Sequence, residues 1–247
     1  MKKKIYEKDK GFFSRLKHQI LLIDIYRYFI ASLRYIYFVK VKRNLKTFDL
    51  EKMEISAKTI SHNLKGLKDL AVVRSNALIK PLSVNERLNS NSKILSIGPR
   101  TEGELFNLVG NGFKKENIVG LDLISYSPWV KLGDMHQLEF DDNSFDAVIL
   151  GWVIAYSNDP FKAASEVVRV TKNRGLIAVG VEMGYRNKEE VKETLGYLPG
   201  AEKRITSTIQ IEEFFGKQIE NIYYRHDSEP APNRKKGDIC LIFSVKK

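Results

Sequence analysis

The stretch from Lys93 to Phe106 constrains the fold more than any other part of the sequence. Its apolar, β-favouring run, Ile94 to Ile97, ends abruptly at Gly98, and apolar residues then recur at helical spacing. A second apolar run, Asn117 to Asp122, follows about twenty residues later and ends on an acid. Strand, glycine turn, helix and strand in this order predict the first unit of a nucleotide-binding α/β sheet. In such sheets, ligands bind beyond the carboxyl ends of the strands.

Three later segments make the pattern more specific. They are Gly133-Asp134-Met135, the run NSFDAVIL at 143–150 and the run EVVRVTKNRGLIAV at 166–179. Together with the glycine turn and Asp122, this succession resembles the class I S-adenosylmethionine-dependent methyltransferases, in particular the methyltransferase type 11 domain. The resemblance covers roughly residues 92–247. It implies a Rossmann-like, doubly wound α/β sheet, S-adenosylmethionine as cofactor and methyl transfer as activity.

The chain pattern predicts the elements of this domain. Strands are expected at 93–97, 117–122, 130–133, 145–150, 175–181, 218–225 and 238–245, and helices at 102–111, 159–172, 187–196 and 208–216. The last two strands are separated by a proline-containing turn and resemble the C-terminal antiparallel hairpin of class I methyltransferases. Only seven residues, Leu123 to Trp129, separate the second and third strands, whereas a parallel crossover normally needs a dozen or more. We therefore expect a loop there and an unusually open edge of the cofactor cleft.

The positive charge of the chain is confined to its N-terminal third. Residues 1–92 hold 20 Lys and Arg against 8 Asp and Glu, whereas the remaining residues hold 21 against 22. This asymmetry and the polar stretch at 89–92 divide the chain into a basic, α-helical N-terminal region, 1–91, and a methyltransferase domain, 92–247. The basic excess fits a phosphate-binding surface, an anionic membrane surface or a solvated helical face, and composition alone leaves all three open.

Residues 12–41 contain no proline and no glycine and predict one long helix. Asp24, Arg27, Ala31 and Arg34 form a narrow polar stripe on an otherwise apolar cylinder. The charges break the apolar run too often for a transmembrane span. Two interpretations stay open: a helix buried against the catalytic domain or a second copy, and a peripheral helix lying on an anionic bilayer. A second helical region is predicted from Asp49 to about 79 and is expected to end at Pro81.

The glycine turn supplies the first candidate cofactor-binding residues. Gly98 should allow close approach of the backbone to the ligand and Gly103 the turn into the helix, with Pro99 between them. The turn departs from the family pattern, because Ser96 replaces an acid and Arg100 replaces the second glycine. Glu102 or Glu104 is a candidate to supply the missing carboxylate, and Arg100 is a candidate to bind an anionic group.

Further cofactor contacts are implied by the resemblance. A carboxylate offers two acceptor oxygens suited to two ribose hydroxyls, and Asp122 stands where the family carries its ribose-binding acid. Asp134 and Met135 match the family's adenine site, and Gly151 follows the fourth strand, where the transferred methyl group should emerge. His136 and Tyr156 are the candidate catalytic residues for a methyl transfer to oxygen. Four scattered histidines indicate no metal site.

The sequence favours a small-molecule or glycan acceptor, with oxygen as the preferred acceptor atom. The segment after the fourth strand lacks the Asn/Asp-Pro-Pro-aromatic motif of amino-directed DNA methyltransferases, which argues against nucleic acid as a partner. An RNA-modifying enzyme and a non-catalytic relative that serves in binding or assembly remain as alternatives. A single cysteine, Cys240, and no signal peptide predict a cytoplasmic protein, with peripheral membrane contact through the N-terminal helix as a further expectation.

Overall fold

The computed structural model describes residues 12–48, 64, 67, 75–184, 193, 205–229 and 236–247. Its strands, in chain order, are β1 (Lys46–Thr47), β2 (Ile94–Ile97), β3 (Ile118–Asp122), β4 (Ile124–Ser125), β5 (Val130–Leu132), β6 (Phe145–Gly151), β7 (Thr171–Gly184), β8 (Ile219–His226) and β9 (Lys236–Val245). Seven of them form one sheet in the order β5-β3-β2-β6-β7-β9-β8, and β1 pairs separately with β4. This topology confirms the predicted doubly wound α/β fold.

The centre of the sheet is parallel and completely buried. β2 lies between β3 and β6, with Ile97 opposite both Leu121 and Leu150. All four residues of β2 are buried, which is why the strand reads as a continuous run without alternation. The carboxyl ends of β2, β3 and β6 therefore meet at one edge of the sheet. This edge is where a doubly wound sheet binds its ligand.

The C-terminal hairpin has the predicted arrangement. β9 runs antiparallel to β7 on one side and to β8 on the other. The predicted strands at 218–225 and 238–245 are confirmed, although β9 begins two residues earlier, at Lys236. β7 is longer than the predicted strand and starts directly after the preceding helix, at Thr171. A sheet with a single antiparallel strand inserted next to its last strand is the arrangement that the sequence pattern implied.

Six α-helices flank the sheet in the part of the chain that the structure describes. They are α1 (Phe12–Leu21), α2 (Asp24–Tyr35), α3 (Asn76–Ser83), α4 (Glu102–Gly110), α5 (Pro160–Val170) and α6 (Thr208–Phe215). α5 begins where the sequence indicates, because the Asp159 side chain accepts a hydrogen bond from the Lys162 amide and Pro160 occupies the first turn. The helix predicted at 187–196 lies outside the described residues, except for Glu193.

The prediction of one continuous helix over 12–41 was wrong. The chain breaks at Leu22 and Ile23, between α1 and α2, and a π-helical turn, Ile36–Val41, continues α2. The break is held by Arg27, whose buried guanidinium donates to the Leu21 carbonyl oxygen at 2.7 Å and pairs with Asp24. Sequence periodicity missed this break because neither proline nor glycine marks it.

Pro81 does not end its helix, which is a second correction. α3 includes Pro81 and continues to Ser83. The proline lacks only one hydrogen bond near the end of the helix, and burial of Leu78, Ile79 and Leu82 stabilises the last turn in the core. The rest of the predicted second helical region, 49–74, lies outside the described residues apart from Leu64 and Leu67.

No crossover helix connects β3 to β5, as the short spacing predicted. The loop carries two buried aromatic side chains, Tyr126 and Trp129. The Trp129 indole donates to the Ile118 carbonyl oxygen at 2.8 Å and packs edge-on against Phe106. Tyr126 packs edge-on against Tyr35, and so the end of α2 covers the layer that a crossover helix usually fills.

The N-terminal helices share a core with the α/β domain. Leu21 of α1 and Leu78 of α3 belong to the same buried cluster as Ile94 and Ala147 of the central sheet. The carbonyl oxygen of Leu21 lies so close to Gly110 of α4 that an added Cβ would sit 2.8 Å from it. The compositional boundary near residue 91 therefore does not separate two independent cores. Within the described residues, no helix is long and apolar enough to span a membrane.

Candidate cofactor site

The carboxyl ends of the central strands border a cleft that encloses about 670 Å³ between atoms, part of it open to solvent. Six of the eight predicted cofactor-binding residues line it: Gly98, Arg100, Asp122, Asp134, Met135 and Gly151. Of the other two, Pro99 packs beside Gly120, and Gly103 is buried in the first turn of α4. The cleft therefore lies where the sequence pattern placed a cofactor.

Asp122 lies at the end of β3 and faces the cleft. Its Oδ2 accepts a hydrogen bond from the Arg100 amide at 3.0 Å, and its Oδ1 accepts one from the Ile124 amide at 3.2 Å. Burial raises the pKa of this carboxyl to about 6, although the backbone amides counteract the shift. At neutral pH the group is therefore largely ionised. Each carboxylate oxygen has two lone pairs, so both oxygens can still accept one more hydrogen bond.

Gly98 also has a structural role that the sequence did not indicate. Its φ is +72°, and a Cβ added to it would lie 1.9 Å from Cγ1 of Val153. The missing side chain thus makes room for Val153, which follows β6, and this contact narrows the cleft at the turn. Sequence analysis gave no role to Val153 and also missed the apolar lining residues Ile97, Leu121 and Leu123.

Two non-glycine residues in the cleft wall have left-handed backbone conformations. Arg100 has a φ of +52° and Trp152 a φ of +61°, a region that costs an L-residue roughly 1–2 kcal/mol. At Arg100 this conformation explains why the family pattern has a glycine at that position. It also aims the Arg100 amide at Asp122. The indole of Trp152 is tied down by a hydrogen bond of 3.2 Å to the Asp238 carboxylate.

Asp134 and His136 form a bridge across one side of the cleft. His136 Nδ1 lies 2.7 Å from Asp134 Oδ1, and His136 Nε2 lies 2.7 Å from the Ser157 hydroxyl oxygen. Burial alone would raise the pKa of Asp134, but the hydrogen bonds and charge of His136 outweigh it and the pKa is lowered. Both ring nitrogens of His136 are thus engaged within the protein, and His136 does not line the cleft. It is placed to hold Asp134 rather than to contact an acceptor.

The proposal that Glu102 supplies a carboxylate to the cofactor was wrong. The Glu102 side chain is fully buried and pairs with Arg34 of α2 through two hydrogen bonds of 2.5 and 2.8 Å. Its Oε1 also accepts a hydrogen bond from the Ser127 hydroxyl at 2.7 Å. Glu104 is buried beneath Gly151, its Oε2 3.5 Å from where a Cβ on Gly151 would lie. Glu104 therefore stays a candidate for that role.

A second, larger cavity of about 1160 Å³, part of it open to solvent, adjoins the cleft at its β5 edge. The two share Leu121, Gly133 and Asp134, and the outer wall includes Thr47 and Phe48 of the N-terminal region. This is the edge that the short β3–β5 connection predicted to be open. Within the described residues, no group of three or more histidine, cysteine or acidic side chains is arranged to hold a metal ion.

Comparison with known proteins agrees with the geometry. Residues 103–179 match the model of a family described as a methyltransferase domain. One solved structure is a complex between the Haloferax volcanii Trm112 methyltransferase activator and a methyltransferase. A chain of this complex superposes with a TM-score of 0.55 at 15% identity, covering 78% of this chain and 98% of that one. The MccD protein superposes with a TM-score of 0.51 at 15% identity, covering 71% and 97%. Residues 103–179 thus carry a methyltransferase domain of the class I S-adenosylmethionine-dependent type.

Among curated proteins, the methyltransferase domain is similar to the demethylmenaquinone methyltransferase of Renibacterium salmoninarum. The two are 47% identical over 47 residues, which is 19% of this chain and 20% of that protein. The matched segment thus spans about a fifth of the curated relative. At this coverage the similarity supports the methyltransferase domain and leaves the acceptor to be determined.

The residues of the cleft fit S-adenosylmethionine, the cofactor of this family. Asp122 keeps free acceptor capacity on both oxygens for a pair of ribose hydroxyls. In the described part of the chain, the hydrogen-bond partners of the Asp134 carboxylate all contact its Oδ1 oxygen. This leaves the Oδ2 oxygen for an amine such as that of adenine. Met135 lines the same wall and provides an apolar surface for a ring. The methyltransferase domain therefore keeps a cofactor cleft despite its altered glycine turn.

Proposed function

We propose that the protein transfers the methyl group of S-adenosylmethionine to an oxygen atom of a small-molecule or glycan acceptor. The observation that carries the proposal is the cleft itself, which remains open between Asp122 and the glycine turn and is lined by six predicted cofactor-binding residues. When bound, S-adenosylmethionine supplies an electrophilic methyl group on a positively charged sulfur. The protein contributes alignment of the two reactants and exclusion of water.

The chain's own groups divide this work between the two ends of the cleft. Asp122 orients the ribose, and its two backbone hydrogen bonds hold the carboxylate in place beforehand. Asp134, held by His136, fixes the opposite end. Val153 lies against Gly98 and Trp152 lines the same cleft, so that both help to exclude water where the methyl group is expected. Tyr156 lines the same end and remains our candidate for contact with the acceptor.

Two features support a small acceptor over a nucleic acid. The segment from Gly151 to Pro160 lacks the motif by which DNA methyltransferases hold a flipped base. The curated relative is named for demethylmenaquinone, a small molecule. Our preference for oxygen follows from Tyr156, whose side chain lines the cleft and carries a hydroxyl group able to hydrogen-bond an alcohol or phenol acceptor.

Binding of S-adenosylhomocysteine, measured by titration calorimetry, tests the cofactor assignment. We expect the wild-type protein to bind, and Asp122→Asn to weaken binding by at least about tenfold, because the amide has one acceptor oxygen in place of two and no charge. Asp146→Asn is the matched control. Asp146 lies at the start of β6, away from the cleft, and its carboxylate accepts a hydrogen bond from the Lys93 amide. No heat at millimolar ligand with folded protein would establish the non-catalytic alternative.

Transfer of tritiated methyl from S-adenosylmethionine tests the acceptor class. The purified protein is incubated with fractionated cell material, and the label is separated into small molecules, glycans and RNA. We expect label in the small-molecule or glycan fraction, and much less of it with Asp122→Asn at the same concentration of S-adenosylmethionine. Label in RNA would favour the RNA-modifying alternative and overturn the acceptor part of the proposal.

A further inference from the structure

The amphipathic pattern of α2 is inverted relative to that of an ordinary surface helix. Its polar stripe faces inward, where Arg27 and Ala31 are buried and Arg34 pairs with Glu102. Every exposed residue from position 22 to position 39 is apolar or aromatic. These residues, which we term the outward face, are Leu22, Ile23, Ile25, Tyr26, Tyr28, Phe29, Leu33, Ile36 and Tyr37. The sequence placed a polar stripe here, and the structure shows that the stripe holds the helix to the domain.

The outward face is larger than the exposed apolar patches of ordinary soluble proteins. Its side chains are exposed by 46% at Tyr28 to 70% at Ile25. Aromatic side chains present about 150–250 Å² each, so the four half-exposed aromatic ones alone sum to roughly 400 Å², to which the five leucine and isoleucine side chains add. The largest apolar patch of a typical monomer is about 300–600 Å² and is often functional. A surface of this kind requires a partner.

Exposed cations border the outward face. Lys17 lies on α1, and Lys40, Lys42, Arg43 and Lys46 follow directly on the C-terminal side, all of them exposed. Between positions 16 and 48 the sequence contains seven lysines and arginines and one acid, Asp24. An apolar strip with tyrosines, set within a basic border, is complementary to a bilayer whose headgroups are anionic.

We propose that the outward face docks the protein on an anionic lipid bilayer, with α2 lying in the membrane surface. A second copy of the chain fits less well, because a symmetric contact would bring two basic borders together. The proposal goes beyond methyl transfer and does not depend on it. It also gives the inward polar stripe a purpose, since Arg34 fixes the membrane-bound helix to the first turn of α4.

Co-sedimentation of the full chain with vesicles tests the proposal. Wild type is compared on phosphatidylcholine vesicles with and without phosphatidylglycerol. We expect binding to require phosphatidylglycerol and to weaken about fivefold for each of Lys40→Gln and Lys42→Gln, the effect of removing roughly one kcal/mol per surface cation. Ile25→Glu/Phe29→Glu is expected to lower binding more than tenfold, because it places two charges in the apolar strip.

Val84→Glu/Phe161→Glu is the matched control. It also converts two exposed apolar residues, 82% and 58% exposed, into glutamate, but both lie away from the outward face. We expect this control to bind vesicles like wild type. Ile25→Ser/Phe29→Ser is a second, uncharged variant, and circular dichroism shows that each variant is folded. S-adenosylhomocysteine binding by these variants is expected to be unchanged, so that failure of docking and failure of the cofactor assignment are distinguished.

Three results would overturn the proposal. The first is absence of vesicle binding by the folded wild-type protein, and the second is equal binding by Ile25→Glu/Phe29→Glu and its control. The third is a dimer in analytical ultracentrifugation that Ile25→Glu/Phe29→Glu dissociates while vesicle binding is absent. That outcome would assign the outward face to a second copy of the chain.

Discussion

The pairing of Arg34 with Glu102 predicts a large and unequal response to mutation. The Glu102 side chain is 0% exposed, whereas the Arg34 side chain is 29% exposed. The two hydrogen bonds to Glu102 raise the pKa of Arg34 and keep its charge in place. Arg34→Met removes the cation and leaves a buried carboxylate whose one remaining side-chain hydrogen bond among the described residues comes from the Ser127 hydroxyl. Removing one partner of a buried ion pair costs about 3–5 kcal/mol.

The reverse substitution should cost less. Glu102→Gln keeps an acceptor for Ser127, and the half-buried Arg34 can turn part of its guanidinium to water, so we expect a loss of roughly 1–2 kcal/mol. In the double variant no unpaired charge remains. We therefore expect the two effects to fall short of additivity by about 2–3 kcal/mol.

Urea unfolding monitored by circular dichroism measures these differences in the free energy of unfolding. Lys236→Met is the control, because its ion pair with Glu182 is 64% and 49% exposed and should contribute less than about 1 kcal/mol. A loss below about 1 kcal/mol in Arg34→Met, or strict additivity in the double variant, would refute the assignment of Arg34 as the clamp between α2 and α4.

Three further substitutions and conditions have defined outcomes. Gly98→Ala places a Cβ 1.9 Å from Val153 at a φ of +72°, so we expect the free energy of unfolding in urea to fall by about 2–4 kcal/mol. Adding Val153→Ala to the same chain should restore the part of this loss that is due to the steric clash. Arg100→Gly relieves a φ of +52° and should leave the free energy of unfolding unchanged or higher by up to ~1 kcal/mol, whereas Arg100→Ala should not raise it. The pKa of Asp122 is raised to about 6 in the folded protein, above its unfolded value of about 3.9, so its contribution to stability falls as pH rises from 4 through 6. Binding of S-adenosylhomocysteine needs the ionised form and should weaken as pH falls below about 6, a dependence that calorimetry should not find in Asp122→Asn.

The parts of the fold that could be predicted are those determined by the pattern of residues close together in the sequence. The strand at 94–97 is apolar throughout because both of its faces are covered. Asp122 ends the next strand, so the order of residues alone places these two strands side by side. The short connection at 123–129 likewise rules out a crossover helix by its length. The resemblance to methyltransferases predicted eight cofactor-binding residues, and the structure places six of them around one cleft.

The parts that escaped prediction depend on contacts between distant residues. The sequence placed Arg34 in a polar stripe but could not identify its partner, which lies 68 positions along the chain. Glu102 was one of two candidates to bind the cofactor because it follows the glycine turn, but its position in the first turn of α4 directs it to α2. The contact of Val153 with Gly98 has no signal in sequence, since it depends on how two loops meet. The one available hint was the composition of α2, whose polar stripe is too narrow for a solvated face.

The cover that α2 provides for the β3–β5 connection has a consequence for biosynthesis. Residues 24–39 leave the ribosome about ninety residues before Tyr126, against which they pack. Packing of α2 against this connection therefore requires a late, long-range closure, and topologies of this kind fold slowly. During that interval the nascent helix exposes the apolar side chains of its outward face together with those that later contact Tyr126, so early capture by a chaperone or a lipid surface would protect it from aggregation.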